Sequence, residues 1–216
     1  PIGDKHFGLV LLAALGGVSS STHSGETIVY DHAFSVQQGA QHQALTLFLD
    51  DPLAGQDYKH ALAVIDTLEI NYEPGDYISY TANVRAKKGT TATLTPSITT
   101  EGKFTHKHFT FKIASNLAGL DAGSAIALKS LTLSITKNLE DDDVLGSITP
   151  NDFLNKQFII EGKLEALWQN ESDFKTNTLT GTMKAVRLDL VNTDTTNGNA
   201  ANPTAVSYTH LRAHET

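Results

Sequence analysis

The sequence predicts a mainly β protein, an antiparallel β-sandwich or barrel-like fold with a flanking N-terminal helix. Three observations carry that prediction. From about Glu26 onward, apolar residues recur with period two in short runs broken by Gly, Pro, Asn and Asp, the pattern of antiparallel strands with one face buried. Near the N-terminus, Lys5 to Leu15 is instead apolar on most faces and is closed by Gly16-Gly17, as a helix would be. Finally, 216 residues supply enough chain for one full hydrophobic core, so residues 1–205 are expected to form a single domain.

Taken in order, the helix over Lys5 to Leu15 would lie flat on the sandwich. Strands are expected at Ile28 to Val36, Ala44 to Leu49, Ala63 to Tyr72, Tyr77 to Ala86, Thr91 to Ile98 and His108 to Ile113. The clearest run follows: Leu131, Leu133 and Ile135 fall on one face, with Ser130, Thr132, Ser134 and Thr136 on the other. Phe158 to Trp168 and Thr182 to Val191 complete the strands, and a short helical turn is expected around Ser172 to Leu179. Thr67–Ile70 followed by Tyr77–Val84 echoes Ser130–Leu133 followed by Phe158–Ala166, as two long hairpins would. Any two amphipathic hairpins share this pattern, so no fold claim rests on it.

Both ends read as artificial. The chain opens at Pro1 and its one methionine is Met183, so the reading frame is expected to begin upstream and the domain to be truncated at both ends. Residues 206–216, VSYTHLRAHET, translate codon for codon from a transposase-type sequencing-library adapter, and are expected not to be native.

Composition excludes several functions. With 16 Lys+Arg against 24 Asp+Glu, a formal charge of −8 argues against a surface that clamps nucleic acid. The absence of cysteine removes disulfide scaffolds, thiolate nucleophiles, Fe–S clusters and Cys-type zinc sites. The apolar run Phe7 to Leu15 falls far short of the roughly 20 residues that a membrane-spanning helix needs.

Motifs that carry chemistry are weak. His106 and His108 would share one face of an extended strand, the spacing of a strand-borne metal pair, but without a nearby third ligand and beside Lys103 and Lys107 they read as a solvated face. His32, next to Asp31, reads as a polar strand-edge residue. Asp50-Asp51 and the run Glu140, Asp141, Asp142, Asp143 offer paired carboxylates. In that run the acids are contiguous and Gly146 comes too late for a calcium loop, so a hydrated loop is expected. No G-x-S-x-G, G-x-x-x-x-G-K-[ST] or G-x-G-x-x-G string occurs. The chain reads as a non-enzyme with neither cofactor nor metal, whose function lies in shape and in long hairpin edges suited to pairing with a neighbour.

Several segments, in order, resemble the tail tube (major tail) proteins of long-tailed bacteriophages: Phe7–Gly16, Tyr30–Phe34, Gln43–Asp51, Val64–Ile70, Ser130–Ile135 and Leu179–Leu188. The likeness covers most of Phe7 to Asp194, and it is carried by the order of the segments, each being a generic strand pattern. The resemblance implies a tail-tube β-sandwich whose copies form hexameric rings stacked into a hollow tube, with hairpins of neighbours joined into a barrel around the lumen. DNA would pass through without specific binding, since an acidic lumen repels phosphate. It further implies assembly in the bacterial host cytoplasm, a place in the virion tail, no membrane, and tape-measure, tail-terminator and baseplate proteins as partners. Glu140, Asp141, Asp142 and Asp143 would then sit at a ring-to-ring contact or the lumen edge. The alternative is a secreted or surface β-sandwich binding module, an adhesin or carbohydrate-binding domain. In that case Leu9 to Leu15 would be the core of a signal peptide, followed by the small residues Val18-Ser19-Ser20.

Overall fold

A computed structural model of the chain describes residues 1–25, 27–37, 43–51, 56–97, 99–167, 175, 179, 181, 183–197 and 204–210. The apolar run FGLVLLAAL forms helix α1 (Phe7–Leu15), two residues shorter at its start than the sequence predicts. A helix apolar all round belongs in a core, and Phe7, Leu11, Ala13 and Ala14 are buried. Three of its last four carbonyls find separate donors: Leu12 accepts from the Gly16 N–H, Ala13 from Lys137 Nζ at 2.6 Å, and Leu15 from the Gln37 N–H at 2.7 Å.

Gly16-Gly17 ends the helix as expected, but no loop follows. The chain passes directly into β1 (Gly16–Thr22), which pairs antiparallel with β2 (Tyr30–Val36). Sequence reading missed β1 because GGVSSST has neither apolar alternation nor a β-branched run. The residues that the secretion alternative took as a cleavage region, Val18 to Ser20, are thus paired strand.

β3 (Leu45–Leu49), β4 (Tyr58–Tyr72), β5 (Ser79–Arg85) and β6 (Thr90–Thr91) follow. β4 bends at Leu62, where φ is +51° and the register against β3 shifts. Before the bend it runs beside β3 and β6; after it, between β5 and β8 (Leu128–Thr136). Of the strand expected over Thr91 to Ile98, the described residues keep only Thr91, as the end of the two-residue β6, and Ile98 lies outside the described residues. Asp57 draws Ala92 and Leu94 away instead, accepting their N–H groups at 2.9 and 3.0 Å through its carbonyl and carboxylate, and Pro96 has no N–H to give a ladder.

β7 (Phe109–Ala114) precedes β8 in the chain. After β8, the short strands β9 (Glu140–Asp142) and β10 (Asp152–Leu154) pair as a hairpin, and β11 (Ile159–Ala166) returns along β8. The two echoing hairpins, β4–β5 and β8–β11, are joined through β4 and β8 into one antiparallel sheet ordered β5-β4-β8-β11. A second sheet is ordered β13-β12-β7, with β12 (Ala185–Asn197) central and β13 (Thr204–His210) outermost. Residues 206–210, expected to be foreign to the domain, continue β13 here. Most of the helical turn expected over Ser172 to Leu179, along with Trp168 and Thr182, lies outside the described residues.

The core fills the space between these layers. Leu68, Ile70 and Tyr72 of β4 and Leu131, Leu133 and Ile135 of β8 face α1 on one side and Phe111, Leu188 and Leu190 of the second sheet on the other. Each such side chain contributes about 1.5–3 kcal/mol on burial. An N-terminal strap closes the end: Ile2 is held between Ile78 and Phe104 by backbone bonds of 2.7 and 3.0 Å. Glu101 braces the strap through His6 and Lys103, and those bonds, Lys103 foremost, lower its pKa to about 2. The architecture is a β-sandwich with open sheets among the described residues and one flanking N-terminal helix.

Candidate functional site

Period-two alternation makes the β5-β4-β8-β11 sheet two-sided. Opposite the core, register aligns polar residues in rungs across all four strands: Thr81, Glu69, Ser134 and Glu161 in one, Ser79, Asn71, Thr132 and Lys163 in the next. A third runs Asn83, Thr67 and Thr136, ending on Ile159. Neighbouring rungs are tied by hydrogen bonds, since Thr132 Oγ1 donates to Asn71 Oδ1 at 2.9 Å and Asn71 Nδ2 donates to Glu69 Oε1 at 2.9 Å. No described element covers this face: its central residues are half-buried only by their neighbours, and those of β5 and β11 are exposed.

Charge on the face is weakly negative. Glu69, Glu161 and Glu165 stand against Lys163 and against Lys129, which pairs with Glu165 at 3.4 Å, three carboxylates to two ammoniums, a formal −1. Both lateral edges of the sheet, β5 and β11, lack a further strand partner among the described residues. An unpaired edge offers a row of N–H and C=O groups that another strand can complete.

The acids nominated from sequence lie elsewhere. Glu140, Asp141 and Asp142 are not a hydrated loop but strand β9, and Asp143 opens the exposed turn to β10. Glu140 pairs with Lys156 at 2.5 Å, Asp141 with Arg85 at 3.1 Å, and Asp142 accepts from Asn151 Nδ2 at 3.2 Å. Val64, Leu139 and Phe153 form a small second core beneath this hairpin. The fragment was misread because EDD has low strand propensity and is paired only by tertiary context. Among the described residues, no group of three or more His, Asp or Glu is placed to hold a metal ion.

The histidine pair is corrected as well. His106 to His108 is a 3-10 turn, not a strand, so the two rings do not share a face. His108 is buried, its Nδ1 accepting from the Thr105 N–H at 3.1 Å, while His106 is exposed. The reason is local: Thr105 and His108 close a reciprocal cap that an extended strand cannot make. His32 sits on the exposed β1–β2 hairpin, 2.8 Å from Ser20 Oγ, a polar strand residue as expected. Asp50 and Asp51 follow the end of β3.

Two features were missed entirely. One is a cleft of about 400 Å³ between the sheets, bordered by Tyr72, Ile78, Phe109, Phe111, Leu128 and Leu131. Tyr72 stacks obliquely on Phe109 with centroids 4.8 Å apart, and its buried hydroxyl has no hydrogen-bond partner, so desolvation pushes its pKa well above the ordinary tyrosine value. The other is the β9–β10 turn, which exposes Val144, Leu145 and Ile148. Three apolar residues within an acidic segment were its only signal in the sequence.

The sequence profile of phage tail tube proteins matches residues 2–208. The chain belongs to that family. A search of curated proteins returned no match. Membership in the phage tail tube family implies a structural role in the virion tail and self-assembly into a tube, in keeping with an open polar sheet face and unpaired edges. No helix among the described residues is long and apolar enough to cross a membrane.

Proposed function

We propose that this chain is the repeating subunit of a phage tail tube, in which hexameric rings stack into a hollow conduit for DNA. The observation that supports it most is the two-sided β5-β4-β8-β11 sheet, apolar where it meets α1 and β7–β12, polar and uncovered on the other face, with both edges open. In a ring, β11 of one subunit would meet β5 of its neighbour, so that the sheets close into a continuous barrel and the edges disappear.

The polar face then lines the lumen. Its hydroxyl and amide groups stay hydrated, and its small excess of carboxylates, a formal −1 per subunit, disfavours phosphate. DNA slides along such a wall without sequence readout, because no cationic row offers phosphate contacts. Tape-measure protein inside the tube, with tail-terminator and baseplate proteins at its ends, would complete the tail, which would assemble in the host cytoplasm.

Negative-stain electron microscopy of the purified chain tests this reading. Rings or hollow tubes of uniform width are the expected result. A monodisperse monomer at all protein and salt concentrations overturns it.

A further inference from the structure

The two features that the polar face does not use lie at opposite ends of the same sheet. The β9–β10 hairpin leaves the C-terminal end of β8 and is fixed there by Val64, by Arg85 to Asp141, and by Lys137, whose backbone N–H donates to Asp66 O at 2.8 Å. The cleft opens at the N-terminal end of β8, around Leu128 and Leu131 and the last residue of β4, Tyr72. β8 is nine residues long, which at about 3.3 Å per residue separates the two by about 26 Å or more.

The tip is apolar and has no cover. Leu145 and Ile148 are 106% and 94% exposed, and Val144 beside them is 45% exposed. Gly146, at φ +89°, sharpens the turn so that these side chains stand out from it. At the other end, the cleft offers apolar walls from Ile78, Phe109, Phe111, Leu128 and Leu131. The rim of the cleft is charge-balanced, with Lys129 and Glu73 both on it and Lys129 reaching Glu165 at 3.4 Å, so apolar contact rather than charge must drive the fit.

A protrusion at one end and a recess at the other cannot satisfy each other within one chain. Between copies they make a head-to-tail contact, which propagates into an open stack rather than closing on itself. We infer that the occupant of the cleft is a second copy of this chain: the tip Val144-Leu145-Gly146-Ser147-Ile148 of one subunit seats between β7 and β8 of the subunit stacked on it, its Leu145 and Ile148 side chains against the apolar walls of the cleft. This deepens the tube reading, because it assigns the contact between successive rings while β5 and β11 assign the contact within a ring.

The chain has no cysteine, so disulfide trapping is clean. Leu145→Cys is placed in the tip and Ala127→Cys in the exposed rim of the cleft, both in the full chain. Under mild oxidation of assembled tubes, the double variant gives a ladder of covalent oligomers, while either single variant stops at dimers. Independently, Leu145→Ser with Ile148→Ser raises the protein concentration needed for tube formation by about 100-fold or more, the effect of no longer burying two large apolar side chains. Circular dichroism of that variant matches the wild type, since both positions are exposed. Tubes of the double variant that form without any 145–127 ladder overturn the stacking contact and leave the tube reading standing. A wild-type chain that never assembles overturns both.

Discussion

Replacing Gly16 with alanine tests the joint at which helix becomes strand. Gly16 sits at φ +98°, a conformation that an L side chain adopts at a cost of about 1–3 kcal/mol. A Cβ there would lie 2.8 Å from Gln37 Cβ, closer than side chains tolerate. Gln37 cannot retreat freely, because its N–H holds the Leu15 carbonyl at 2.7 Å, and weakening that bond costs about 1 kcal/mol more. Against this, alanine reduces the freedom of the unfolded chain and returns about 0.4–1 kcal/mol. The expected net loss is about 2–3 kcal/mol, a fall in Tm of about 4–12 °C for a chain of this size. Gly17→Ala is the matched control: its added Cβ would meet Ser35 Oγ at 2.6 Å, the end of a small side chain that can turn aside, and the Ser35 carbonyl at 3.2 Å. Its cost should stay below about 1 kcal/mol. Urea unfolding followed by far-ultraviolet circular dichroism measures both, and equal losses for the two variants would refute the reasoning.

His108→Ala should destabilise the fold by about 1–2 kcal/mol through loss of the Thr105 cap, whereas His106→Ala should stay within about 0.5 kcal/mol. Thermal unfolding separates them, and the reverse order would return the pair to a shared exposed face. Lys137 carries a pH signature: burial lowers its pKa to about 8, with Asp66 partly opposing the shift. Between about pH 8 and the ordinary lysine value the unfolded chain holds a proton that the folded chain has released, so the stability contributed by this group rises with pH across that window. Lys137→Met keeps the buried stem and abolishes the titration. A wild-type minus variant stability difference that stays flat from pH 8 to 10.5 would sink the assignment.

Much of the fold was legible because hydrophobic period is a local property. The alternation in Leu131, Leu133 and Ile135, and in Leu68, Ile70 and Tyr72, is set by side-chain chemistry that any buried sheet must respect. What escaped were elements whose conformation is imposed from outside. β1 forms because β2 lies beside it, and β9 because Val64 and Arg85 anchor its hairpin. The 3-10 turn at His106 to His108 exists because Thr105 and His108 cap each other.

The same division holds for the candidate site. Composition alone determined that the chain has no thiol chemistry and carries a net negative charge, and the order of its segments carried the resemblance to tail tubes. It could not determine which acids share a surface. The contiguous run Glu140 to Asp143 drew the eye, yet the acids that stand on the open sheet face, Glu69, Glu161 and Glu165, are scattered over two strands. Only strand register brings them together, because hydrogen-bonded pairing joins residues nearly a hundred positions apart. Turn geometry can set register within a hairpin, but the register of β4 against β8 is set only when their buried faces meet, and that contact lies outside any local window.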